Sequence, residues 1–219
     1  MIQRRQVVPS SLGILIALGL AVAALFLFGW LAQEVHENDA IRFDDGVRTA
    51  FHALASPPLT ALLRWVSLLN GPVALGLYTL VLCGLFLQRG HRTSAALLAV
   101  TVVGGVCLDV ALKFAFHRAR PEPYFGLPTP ATFSFPSGHS LMSLCFYGVA
   151  AYLISVHVDS ARWRLALRVA GALMVLLVGV SRIYLGVHYP SDVVAGFAAG
   201  LVWLTAIVFA YRRIVKPVA

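Results

Sequence analysis

The chain has 219 residues, 59% of them hydrophobic and only 12% charged, with a mean hydropathy of +0.83. A soluble globular domain carries about 25% charged residues, so this composition excludes one and points to a polytopic membrane protein, a single membrane-embedded domain over residues 1–219. The formal charge of +8 does not indicate a nucleic-acid partner, because the basic residues stand in short clusters between apolar runs, where they act as topology signals.

A helix crossing a bilayer needs about 20 apolar residues, and the pattern predicts an all-α bundle of six transmembrane helices. The first runs from Leu12 to Ala32, behind Arg4 and Arg5. It is longer than a signal-peptide core of about 7–15 residues and lacks a small-residue cleavage site, so it reads as a retained signal-anchor. The segment from Gln33 to Pro58 is polar and holds Glu34, Glu37, Asp39, Asp44 and Asp45. Within it Ile41, Val47, Ala50, Phe51 and Leu54 fall near helical spacing, which predicts a short amphipathic helix on the membrane surface, ended by Pro57 and Pro58.

Asn70-Gly71-Pro72 breaks the next apolar region into a partly embedded approach, Leu59 to Leu69, and a second span, Pro72 to Leu87. The third span runs from Thr93 to Phe116, the fourth from Gly138 to His157, the fifth from Leu165 to Ile183 and the sixth from Val193 to Tyr211. Cys83, Cys107 and Cys145 all lie inside apolar runs and read as packing residues, with no zinc-site spacing.

If six spans alternate, Arg4/Arg5, Arg89/Arg92, Arg162/Arg164/Arg168 and Arg212/Arg213/Lys216 share one side. That side is the cytoplasm, with both termini inside. Lys113, Arg118, Arg120 and Arg182 then lie on the outer side, against the charge bias, and require another reason for being there.

Three clusters on that outer side carry chemistry. In the first, Lys113 precedes Arg120-Pro121 by seven residues, close to two helical turns, so both cations face one way and can reach one tetrahedral anion. Asp109, four residues before Lys113, is placed to pair with it. The second, Phe135-Pro136-Ser137-Gly138-His139-Ser140, opens the fourth span. Free N–H groups at a helix start attract an anion, Gly138 allows close approach, Ser137 offers a hydroxyl and His139 a proton. The third is Ser181-Arg182, then His188, then Asp192. Arg182 can bind an anion, and Asp192 can hold one nitrogen of His188 and leave the other free to act as nucleophile or base.

Three cations, a helix N-terminus, two histidines and a carboxylate suffice for phosphoryl transfer without a metal. The cations stabilise the equatorial oxygens, one histidine attacks in line and the other protonates the leaving oxygen. No Asp/Glu cluster has the look of a magnesium or zinc site, and no cofactor is expected.

At these residues the chain resembles the type-2 phosphatidic acid phosphatase superfamily, whose signature is Lys-x6-Arg-Pro, Pro-Ser-Gly-His and Ser-Arg-x5-His-x3-Asp. All three parts are present without substitution, in order, between Lys113 and Asp192. The resemblance implies that His188 is a nucleophile forming a phosphohistidine, with Asp192 orienting it. It implies that His139 is the acid for the leaving group and then the base for water, and that Lys113, Arg120, Arg182, Ser137 and Gly138 hold the phosphate. The implied activity is hydrolysis of a lipid phosphomonoester or pyrophosphate at the outer leaflet of a bacterial inner membrane. Phosphatidic acid, phosphatidylglycerophosphate, undecaprenyl pyrophosphate and phosphorylated lipid A are the candidate substrates. The expected partners are that substrate and membrane lipids; the motifs specify no oligomeric state.

The competing readings are a phosphotransferase using the same histidine, a non-catalytic lipid-phosphate carrier, and, more distantly, a haloperoxidase. His36, His52, His91 and His157 read as structural. His117 and Arg118 lie inside the first motif without being required by it. Tyr124, Phe125 and Phe133 are candidates to line a lid or lipid entrance.

Overall fold

The computed structural model describes residues 11–37 and 39–214, so Arg4, Arg5 and Lys216 lie outside the described residues. Within them every regular element is a helix: α1 (Ser11–His36), α2 (Ile41–Ala53), α3 (Pro57–Leu69), α4 (Pro72–Gln88), α5 (Arg92–Phe116), α6 (Gly138–Val156), α7 (Ala161–Tyr184) and α8 (Pro190–Ile214). Helices α1 and α5 to α8 are long and apolar enough to cross a membrane. Helices α3 and α4 make a sixth candidate, bent by 54°. The second expected span and the approach before it therefore form one helix pair bent at Asn70-Gly71.

Proline sets the break. Pro57 and Pro72 open α3 and α4, where a missing N–H removes no helical hydrogen bond. Asn70 fixes the junction by donating to the Val66 carbonyl at 2.7 Å and accepting from the Tyr147 hydroxyl at 2.6 Å. Phe26, Leu80 and Val103 stay 75, 70 and 62% exposed. An apolar surface of that kind suits hydrocarbon, since each helix satisfies its own backbone.

Helix α6 packs against α5, α7 and α8, and α1 covers α8. The main buried cluster joins Leu75, Leu98, Val102, Phe146 and Val149 from α4, α5 and α6. Glycine brings α8 against α6. A Cβ on Gly196 would stand 2.6 Å from the Ser137 carbonyl oxygen, and one on Gly200 3.1 Å from that of Leu141. Small residues let helix backbones approach this closely. The start of α8 is thereby drawn to the start of α6, where the Ser137 N–H donates to the Asp192 carbonyl at 2.9 Å. Helix α8 begins at Pro190 and not at Val193, so Asp192 lies inside its first turn.

The first connection does contain a helix, α2, but its buried residues are Asp44 and Arg48, while Ile41, Phe43 and Leu54 are exposed. Polar side chains point inward because partners wait there. Arg48 donates to the carbonyls of Glu122 at 2.9 Å and Gly186 at 3.4 Å, and lies 5.0 and 5.3 Å from the Tyr124 and Tyr189 rings.

Candidate active site

His188 lies in the turn between α7 and α8 and is 1% exposed. Its Nδ1 is 3.3 Å from Asp192 Oδ2, and its Nε2 is 2.9 Å from Arg120 Nη1. A guanidinium donates hydrogen bonds and never accepts them. Nε2 is therefore the accepting nitrogen, and the ring hydrogen belongs on Nδ1, aimed at Asp192. Burial pushes the imidazole down to about 3; Asp192 opposes that shift, while Arg120 and Arg182 reinforce it. Near neutral pH the ring is uncharged and its Nε2 lone pair is directed at Arg120.

Arg120 arrives by a different route from the one its spacing suggests. Helix α5 ends at Phe116, and His117 turns left-handed at φ 48°, its N–H closing on the Lys113 carbonyl at 3.0 Å. Arg120 therefore shares no helix face with Lys113. It is held from the following loop, where its Nε and Nη2 donate to the carbonyl and hydroxyl of Thr132 at 2.6 and 2.9 Å. Its Nη1 also donates to the Val187 carbonyl at 2.9 Å.

Lys113 donates to Asp109 at 2.5 Å and to the Pro136 carbonyl at 3.1 Å. A Cβ on Gly138 would stand 2.8 Å from the Asp109 carboxylate and 3.0 Å from Lys113 Nζ, so glycine is what leaves room for this pair. Ser137 caps α6; its hydroxyl oxygen accepts from the Ser140 N–H at 3.4 Å and the Ser140 hydroxyl at 3.0 Å. Arg182 donates to the Ser67 hydroxyl, and its Nε is buried without a partner. His139, in the first turn of α6, stands beside the α3–α4 break, its Nε2 3.9 Å from where a Cβ on Gly71 would lie.

Lys113, Arg120, Gly138, His139, Arg182 and His188 line one cavity of about 570 Å³. Ser137 and Asp192 do not line it: both are fully buried behind its wall. The cavity continues along Leu75 and Gly76 of α4 and Val102, Val106, Val110 and Phe114 of α5. Val106 and Val110 are each 46% and Phe114 64% exposed, so this apolar trough reaches the outer face of the helices. A second hollow of about 600 Å³, beside Arg64, Trp65 and Phe125, is lined by no histidine or carboxylate and offers no comparable chemistry.

Several residues here escape sequence reasoning. Asp192 Oδ2 accepts from Ser134 at 2.5 Å and the Tyr189 N–H at 2.9 Å, while Oδ1 accepts from Arg118 at 2.6 Å. The other arm of Arg118 donates to Asp44 at 2.8 Å. Asp44 also accepts from the N–H and hydroxyl of Ser191, at 2.9 and 2.6 Å. Ser134 could have been found from its place three residues before Ser137, whereas nothing in the first connection distinguishes Asp44 from its acidic neighbours. Among the candidate entrance aromatics, Phe133 lines the cavity. Tyr124 and Phe125 pack instead on His52, and Phe125 also stacks on Tyr184.

The family model of the PAP2 superfamily matches residues 94–216. Phosphatidylglycerophosphatase B of Bacillus subtilis is 35% identical over 183 residues, covering 81% of this chain and 88% of the relative. Lipid A 1-phosphatase of Rhizobium johnstonii is 39% identical over 127 residues, 52% of this chain and 48% of the relative. The crystal structure of a transmembrane PAP2-type phosphatidylglycerolphosphate phosphatase from Bacillus subtilis superposes with a TM-score of 0.81 at 27% identity, covering 91% of this chain and 98% of that one. The family match spans all three motifs, the Bacillus relative and structure extend the likeness over most of the helices, and the chain belongs to the PAP2 superfamily, among its membrane lipid phosphatases.

Proposed function

We propose that the whole chain is one membrane-embedded enzyme that hydrolyses a lipid phosphomonoester or pyrophosphate through a phosphohistidine at His188, without a metal. The supporting observation is a single cavity that holds His188, His139 and three cations at one end and an apolar trough at the other. Its volume, about 570 Å³, is in the range of pockets that enclose small ligands. A phosphate at the polar end is gripped by Lys113, Arg120 and Arg182 beside the start of α6 at Gly138, with Ser137 capping that helix. The lipid tail lies along α4 and α5.

In the first step Nε2 of His188 attacks phosphorus, the bond from phosphorus to the lipid oxygen breaks, and His139 gives that oxygen its proton. Asp192 keeps the ring hydrogen on Nδ1 and stabilises the charge that develops. Water then attacks the phosphorus, His139 takes a proton from it, the phosphorus–nitrogen bond breaks, and inorganic phosphate leaves. Phosphatidylglycerophosphate, phosphatidic acid, undecaprenyl pyrophosphate and phosphorylated lipid A are the candidate substrates, since the cations read phosphate and not tail. The clustering of Arg89/Arg92 and Arg162/Arg164/Arg168 on the opposite side supports an extracytoplasmic site in a bacterial inner membrane, with both termini in the cytoplasm.

Phosphate release from the four lipids and from a soluble phosphomonoester, by purified protein in excess EDTA, tests this reading. We expect activity in EDTA, preference for one lipid, and a loss of at least about a thousandfold in His188→Ala, with no phosphoenzyme. Turnover by His188→Ala, or a loss in EDTA restored by magnesium, would overturn the mechanism. The same assay on sealed right-side-out vesicles with an impermeant phosphomonoester locates the site; activity appearing only after permeabilisation would reverse the orientation.

A further inference from the structure

We infer that Asp44 and Arg118 are positioning residues that set the charge behind His188, so that helix α2 is part of the catalytic apparatus. The inference rests on the roles of His188 and Asp192 proposed above. Asp44 is fully buried in α2, a helix otherwise largely exposed, and both its oxygens are engaged by Arg118 and Ser191. Arg118 bridges Asp44 and Asp192 with separate nitrogens, at 2.8 and 2.6 Å, and stacks 4.1 Å from the Tyr189 ring. Although burial opposes its charge, the two carboxylates raise its pKa above the ordinary arginine value.

The chain of contacts runs Asp44–Arg118–Asp192–His188, two carboxylates and one guanidinium behind one imidazole. Little water reaches it, so the charges are weakly screened. Arg118 alone would neutralise Asp192 and weaken its hold on the positive charge that grows on His188 during attack. Asp44 takes up part of that guanidinium and leaves the trio with one net negative charge. The other groups facing His188 are Ser134 and Arg120 from the loop after α5, Arg182 from α7 and His139 from α6. Among the described groups facing His188, Asp192 alone is negative, which makes its charge decisive.

The balance makes the two ends separable by experiment. Asp44→Asn takes the trio to neutral, Arg118→Gln takes it to two negative charges, and the double variant restores one. We expect each single variant to lower kcat by about ten- to a hundredfold, the scale seen for outer partners of histidines held in place elsewhere, with KM for the lipid changing less than about twofold. The acid limb of kcat/KM should move to higher pH in Arg118→Gln, because a more negative surround favours the protonated imidazole. It should return in the double variant, whose kcat should be no lower than that of the worse single one.

Losses that multiply in the double variant, a limb that stays put in Arg118→Gln, or a kcat within twofold of wild type in both single variants would overturn the inference. Arg118→Lys keeps the charge but cannot span both carboxylates; if the other variants fail to fold, an unchanged kcat in this one is enough to overturn it. His188→Ala, run in parallel, separates the two failures, since turnover there would bring down the proposed mechanism itself.

Discussion

The two walls of the cavity are built on opposite principles. On the His188 side nearly every polar atom is engaged: Asp192 is held by Arg118, Ser134 and the Tyr189 N–H, and His188 lies between Asp192 and Arg120. Along α4 and α5 the opposite wall is Leu75, Gly76, Val102, Val106, Val110 and Phe114, apolar side chains with polar contacts only at its end, where Lys113 meets Asp109 and the Pro136 carbonyl. A saturated network fixes one geometry, since a group that moves leaves its partner buried and unpaired. An apolar wall accepts any hydrocarbon of suitable girth. On the proposed function the chemistry would be specified on one side and the tail on the other, and substitutions on the two sides should differ in what they change.

The largest separation is expected at Gly76, where a Cβ would meet nothing within 4 Å. Gly76→Phe fills the trough without touching the histidines. It should lower kcat/KM on a long-chain lipid phosphate by about one to two orders of magnitude, the effect of overfilling a packed site, and leave a soluble phosphomonoester within twofold. Equal losses on both substrates would show that the trough does not carry the tail. A smaller effect is expected at Gly138. The atoms that a new Cβ meets there are the ends of Asp109 and Lys113, which can swing aside. Gly138→Ala should keep the unfolding midpoint and raise the inhibition constant of inorganic phosphate about tenfold, as for one lost hydrogen bond to a charged group. A lowered midpoint with unchanged phosphate inhibition would place the constraint in folding and not in binding.

The smallest effect concerns the saturated wall as a whole. Unfolded histidine takes up a proton near pH 6.5, whereas burial holds His188 down to about 3. Between those values the unfolded chain binds a proton that the native site refuses. The stability contributed by neutral His188 is therefore complete above about pH 6.5 and is lost as pH falls toward 3. The cost is a few degrees in the unfolding midpoint per pH unit. Wild type and His188→Gln in the same detergent should diverge in slope below pH 6.5. Parallel slopes would contradict a buried neutral ring.

The contrast between the walls also separates what sequence discloses from what it hides. The spans were legible from runs of apolar residues, and Pro72 marked the bend between α3 and α4. Lys113, Arg120, Gly138, His139, Arg182 and His188 were legible because each motif keeps its members within a few residues. The helical face assumed for Arg120 was not sound, because His117 ends α5 and the loop, not the helix, carries Arg120 back. Asp44 was hidden for a different reason. Its partners stand 74 and 147 residues away, and in sequence it is one acid among five in a polar connection. Helix α2 turns its charged residues Asp44 and Arg48 inward and leaves Ile41 and Phe43 exposed, so its contribution to the site cannot be read from its apolar spacing.

The 2.9 Å contact between Arg120 and His188 Nε2 has a chemical consequence beyond recognition. The lone pair that would attack phosphorus is already occupied by a cation. A neutral electrophile drifting into the cavity has no charge with which to draw the guanidinium away, whereas on the proposed reading a phosphate dianion would offer Arg120 better acceptors and uncover the nitrogen as it docked. On the proposed mechanism the nucleophile would thus be capped by the same side chain that admits its substrate, and a reactive imidazole could stand at the edge of a lipid phase without being consumed by whatever else is dissolved there.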